Sequence, residues 1–108
     1  MPEFSYQVRT VGSVSIVEAC GDVDMSVSAQ LAEILSPLIK AGNVVLDCTR
    51  VTFCDSMGLR AAVQARQEAL EAGTTFALVP SEPVSRVLRL AGVTQIFTIY
   101  DDPSQAAG

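Results

Sequence analysis

A chain of 108 residues, 49% hydrophobic and 18% charged, has the size of one compact domain and enough apolar side chains to fill its own core. Its formal net charge is −5 and its few basic residues are thinly spread, which argues against a nucleic-acid backbone or an anionic membrane surface as ligand. Histidine is absent, which removes Ser-His and Cys-His nucleophiles, imidazole metal ligands and histidine pH switches together.

In chain order, Met1-Pro2-Glu3-Phe4 shows neither a basic region nor an apolar run, so no signal peptide is expected. No stretch approaches the roughly 18 apolar residues of a membrane span. The expectation is one soluble, cytoplasmic domain over residues 1–108, ordered from about residue 3 to about residue 101 and ending in a polar tail. Phe4 to Arg9 alternates apolar with polar and predicts a half-buried strand. After a turn at Gly12-Ser13, Val14 to Cys20 is apolar on both faces and predicts a covered strand antiparallel to the first. Gly21 to Met25 breaks that pattern, with Ser26 or Ser28 as the N-cap of a helix. Leu31, Ile34, Leu35, Leu38 and Ile39 form one helical stripe. Pro37 lies within the stripe and predicts a kink or an early stop near Leu35, because proline removes a hydrogen bond and crowds the preceding turn.

Val44 to Cys48 reads as a third strand, and Val51 to Cys54 leads into Asp55-Ser56-Met57-Gly58-Leu59. A second helix follows with Leu59, Ala62, Val63, Ala69 and Leu70 inward, and Gly73 closes it. Phe76 to Val79 predicts a strand, and Ser81-Glu82-Pro83 opens a third helix striped by Val84, Val87, Leu88 and Ala91 and ended by Gly92. Ile96 to Tyr100 predicts the last strand, and Asp101 onward a fraying tail. The order β-β-α-β-α-β-α-β implies an α/β fold. Its sheet is mainly parallel, with about five strands, an antiparallel N-terminal hairpin strand and right-handed crossovers.

Ligands of such sheets gather at the carboxyl ends of the strands, where Asp22, Asp24, Asp47 and Asp55 are expected to converge. A phospho-aspartate or metal site would need a lysine beside them, and the only lysine, Lys40, ends the first helix. Asp22 and Asp47 are therefore read as turn and capping residues, and neither metal nor cofactor is expected. Cys20, Cys48 and Cys54 are odd in number without a C-x-x-C pair, so no zinc site or disulfide framework follows. Cys20 and Cys48 read as buried; for Cys54, beside a helix start, a redox-responsive thiol is the lesser alternative to burial. Asp55 or Ser56 can cap the helix at the junction. A phosphoryl group there would add a charge of about −1.5 to −2 where a helix N-terminus tolerates it.

The run Asp47-x-Thr49-x-Val51-x-Phe53-x-Asp55-Ser56-x-Gly58-Leu59 resembles the signature loop of the STAS domain family, best known from bacterial anti-sigma factor antagonists. Gly21-Asp22-Val23-Asp24 is similar to the family's turn after the second strand, and Ser85 to Val93 to its third helix and exit. The resemblance implies a binding module without enzymatic activity. Its partner would be an anti-sigma factor that doubles as a serine kinase, and binding would free a sigma factor. The implied partner surface comprises Asp24, Met25, Cys54, Asp55, Ser56, Met57, Gly58 and Leu59, with no nucleic acid, cofactor or membrane insertion involved. In the family a serine or threonine before the glycine accepts phosphate from the kinase, which weakens the complex. Here that position is Met57, and a thioether accepts no phosphoryl group. This leaves phosphorylation at Ser56, an antagonist without the usual switch, or a STAS subunit of another complex such as a membrane lipid-transport ATPase. Loss of the switch is the preferred expectation. Nothing in the sequence sets the oligomeric state.

Overall fold

A computed structural model describes residues 3–107; Met1, Pro2 and Gly108, included above in the reading of the two ends, lie outside it. Five strands form one sheet in the spatial order of the chain, β1 (Ser5–Val11), β2 (Val14–Val23), β3 (Asn43–Cys54), β4 (Phe76–Val79) and β5 (Thr98–Ile99). β1 and β2 pair antiparallel, and the other neighbours are parallel. The helices α1 (Met25–Ala41), α2 (Arg60–Ala72) and α3 (Glu82–Ala91) are the crossovers between strands. All three pack on one face, where Leu31, Leu35, Ile39, Ala62, Val84 and Leu88 meet Val17, Val44, Leu46 and Leu78 of the sheet. A smaller apolar cluster of Val14, Ile16, Val45, Ala77 and Val79 lies on the opposite face. This is the α/β architecture expected from the sequence, and no helix of the described residues is long and apolar enough to cross a membrane.

Several local expectations are corrected. α1 neither stops nor breaks at Pro37 but runs on to Ala41. Leu31, Leu35 and Ile39 bury the same stripe before and after the proline, so tertiary packing outweighs the lost hydrogen bond. The N-cap of α1 is Asp24 rather than Ser26 or Ser28. In α2 the inward face is built from Ala61, Ala62, Ala65 and Ala69, while Val63 and Leu70 are exposed. Four alanines make a thin face that lies close to its neighbours, and α1 is among them. Gly73 and Gly92 do end α2 and α3 in the left-handed conformation, as expected.

β1 is less covered than its alternation suggests, with Tyr6 and Val8 both more than 40% exposed. It is an edge strand, and α1 stands over β2 and β3 instead. β3 is one continuous strand from Asn43 to Cys54 rather than a short strand with an extension. The last strand shrinks to Thr98–Ile99, because a 3-10 turn over Thr94–Ile96 swings Phe97 under the helices, edge-on to Phe76. The tail does not fray directly after Asp101. Asp102 accepts from the Ser104 N–H at 2.8 Å and starts the short helix α4 (Ser104–Ala107), while Gln105 accepts from the Asp101 N–H at 2.7 Å. Pro103 is buried, and Ala106 packs on the second cluster.

Candidate functional site

The carboxyl ends of β2 and β3 lie side by side, with Val23 opposite Cys54, so the turns that follow them form one surface. Each turn is organised by an aspartate. Asp24 leaves β2 in extended conformation, and its Oδ1 accepts from the Ser26 N–H at 2.9 Å and from the Ser26 hydroxyl. The hydroxyl bond is the main reason that the Asp24 carboxyl sits below the usual aspartate range, with the Ser26 and Val27 N–H groups adding to it. Met25 opens α1 just behind and is 65% exposed. Asp22 is tied sideways instead, accepting from the Thr52 hydroxyl of β3 at 3.1 Å.

After β3, the Asp55 carboxylate accepts from the Gly58 N–H at 2.7 Å, and the Asp55 carbonyl accepts from the Leu59 N–H at 3.2 Å. The Asp55 N–H reaches back to the Val23 carbonyl at 3.4 Å. These bonds close a turn ahead of α2, which begins only at Arg60 and has no side-chain cap of its own. Of the two residues expected to cap, Asp55 holds the turn, and Ser56 is exposed with no side-chain hydrogen bond among the described residues. Gly58 is buried against β2. A Cβ there would run into the Val23 carbonyl and come within 3.1 Å of Val23 Cγ1. This close approach, and not an unusual backbone angle, is what calls for glycine.

The residues expected at the surface thus divide. Met25 and Ser56 are exposed, Asp24, Asp55 and Met57 are half-buried, and Gly58 and Leu59 turn inward, with Leu59 in the helix-side core. Cys54 is half-buried, its Sγ donating to the Asp55 carbonyl at 3.4 Å. Burial, with the Asp55 charge adding to it, pushes its thiol pKa up to about 11, which works against a redox-responsive thiolate. Cys48 is buried as expected and raised by burial, whereas Cys20 is only half-buried. Asp47 does not join the other aspartates. It lies within β3 on the face away from the helices, nearly buried, and accepts from the Thr49 N–H at 3.0 Å. Among the described residues no three acidic or cysteine side chains gather closely enough to hold a metal ion.

Two apolar residues missed in the sequence border the same surface. Phe53, at the end of β3, is 41% exposed, and Leu90 on α3 is 77% exposed. They flank a shallow groove between the β3–α2 turn and α3 that Pro83, Val87 and Ser56 also line. Leu90 was readable: it lies off the stripe Val84, Val87, Leu88 and Ala91 by helix phase.

The comparisons with known proteins agree with this geometry. The chain superposes on an anti-sigma factor antagonist from Mycobacterium paratuberculosis with a TM-score of 0.84 at 22% identity, covering 96% of this chain and 91% of that one. For the protein TM1081 of Thermotoga maritima the TM-score is 0.83 at 26% identity, with 94% and 90% covered. A sulfate transporter family protein from Wolinella succinogenes gives 0.75 at 22% identity, with 92% and 86% covered. These likenesses establish the fold, and the STAS domain model itself matches residues 5–106, nearly the whole length. With the paired turns, the buried glycine of the junction and the five-stranded sheet all in place, the chain belongs to the STAS domain family.

Proposed function

We propose that this chain is a cytoplasmic, single-domain anti-sigma factor antagonist, a binding module that engages an anti-sigma factor of the serine-kinase type and so releases a sigma factor. The observation that carries the reading is the surface built at the ends of β2 and β3. There an apolar residue, Met57, stands in the β3–α2 turn at the position that the resemblance gives to the phospho-acceptor, while the exposed Met25 opens α1 after the neighbouring strand end of β2. Asp24, Met25, Asp55, Ser56 and Met57 form the contact, while Cys54, Gly58 and Leu59 hold the turn from beneath. The likeness to the Mycobacterium paratuberculosis antagonist supports this reading. Met57 removes the phosphoryl switch at its usual site, so binding depends on availability of the partner alone.

Calorimetry against the cognate anti-sigma factor tests the surface. Met57→Glu places a carboxylate where a phosphoryl group would otherwise sit and is expected to weaken binding at least tenfold without changing the thermal midpoint. Unchanged affinity would move the contact elsewhere. In parallel, intact mass after incubation with the kinase and ATP is expected to stay unmodified. A phosphate located on Ser56 would instead return the switch to the neighbouring hydroxyl.

A second reading, a STAS subunit of a membrane transport complex such as a lipid-transport ATPase, draws on the likeness to the Wolinella succinogenes protein. It also accommodates a chain without the acceptor. Affinity capture from the native cytosol separates the two, since one recovers a kinase-like partner and the other a transport ATPase.

A further inference from the structure

The two edges of the sheet are unequal. β5 at one edge is two residues long, which leaves little backbone open. β1 at the other runs for seven residues, Ser5–Val11, in unbroken register with β2. Proteins commonly protect long edges with lysine, proline, a bulge or an inward charge, and β1 has none of them. Its one charged residue, Arg9, is paired with Glu18 of β2 and so is not left free along the edge.

The hairpin geometry states which backbone groups are free. A two-residue turn joins Val11 to Val14, so these two residues exchange hydrogen bonds. Bonded pairs then alternate along the ladder, giving Arg9 with Ile16, Gln7 with Glu18 and Ser5 with Cys20. Tyr6, Val8 and Thr10 consequently direct their N–H and C=O groups outward. Their side chains share the helix side of the sheet with Val17 and Ala19, and Tyr6 and Val8 are 43% and 44% exposed there.

We infer that this edge seats a second copy of the chain, β1 against β1 in antiparallel, with the two-fold axis at Val8. Only the Val8-centred register overlaps the whole strand, because Ser5 then faces the partner's Val11 and Tyr6 the partner's Thr10. Each outward residue finds an outward residue opposite. Three pairs form, each exchanging two hydrogen bonds, and Gln7 stands opposite the partner's Arg9, which keeps the two guanidinium groups from facing each other. Two sheets join into one, and the exposed faces of Tyr6 and Val8 from both copies become neighbours. A single strand pair covers less than the roughly 1,200–2,000 Å² of a standard interface, so the dimer is weak and depends on concentration. The inference is independent of the partner surface proposed above.

Sedimentation velocity from micromolar to near-millimolar protein, with residue-resolved amide exchange at both extremes, tests it. Dimer formation is expected, with the Tyr6, Val8 and Thr10 amides slowing at least tenfold at high concentration while Gln7 and Arg9 stay constant. Val8→Lys is expected to raise the dimer dissociation constant at least tenfold, with circular dichroism unchanged because the site is half-exposed. A monomer at every concentration overturns the inference. So does a dimer that leaves the three amides unprotected or survives Val8→Lys, since it is seated elsewhere.

Discussion

After β2 the chain enters α1 directly behind Asp24, whereas after β3 it makes the detour Asp55–Leu59 before α2 begins at Arg60. Both turns follow parallel neighbours and both are held by an aspartate that accepts main-chain N–H groups. In the first, the half-buried aspartate is a helix cap, and its loss concerns the first turn of α1 alone. In the second, the aspartate closes a loop whose glycine is pressed on the main chain of β2. The β2–α1 turn is therefore local, and the β3–α2 turn belongs to the packing of two strands. Identical capping chemistry has unequal consequences because only one of the turns has a neighbour against its backbone.

That difference can be broken most forcefully at Gly58. Gly58→Ala is expected to lower stability by about 3 kcal/mol in urea unfolding, since its Cβ has nowhere to go without moving a strand. Adding Val23→Ala should not restore it, because the obstacle is the Val23 carbonyl more than its side chain. Full rescue would show the clash to be one of side chains. Next in size, Asp55→Ala leaves the half-buried Gly58 turn without its acceptor and is expected to cost about 1–2 kcal/mol in the same measurement.

The smallest effect is expected at Asp24, and pH reveals it. Its folded pKa lies below the ordinary value of 3.8, so its ionised form stabilises the fold at pH above that value. The contribution is lost as pH falls through the lower folded value. Asp24→Asn retains a capping oxygen but not the charge, so it should be slightly less stable than the parent at neutral pH, with the gap closing as pH falls below 3.8. Parallel acid curves for the two proteins would show that the carboxylate contributes nothing through its charge.

The fold was legible because its signals are redundant: strand-length apolar runs, helical stripes and punctuating glycines all agree. The motif around Asp55 and Gly58 was legible only through its resemblance to the STAS signature loop. What escaped depends on who stands next to whom. Pro37 breaks no helix because Leu35 and Ile39 are gripped by the sheet, and the alternation of Tyr6 and Val8 could not reveal that no helix stands over them. The reach of Asp55 to Gly58 and the absence of Asp47 from the group likewise follow from the path of β3, a single strand through Asn43–Cys54. Periodicity describes a face but does not name its neighbour.

The contour of the β3–α2 turn comes from the Asp55 carboxylate, the Gly58 backbone and the end of β2. No part of that scaffold is borrowed from the side chains at 56 and 57, which makes the tip an interchangeable cartridge on a fixed mount. Under the proposed function, a hydroxyl in place of the Met57 thioether would restore an acceptor for phosphate while leaving the mount as it is. Regulation and recognition can then change separately in such a domain, one residue at a time.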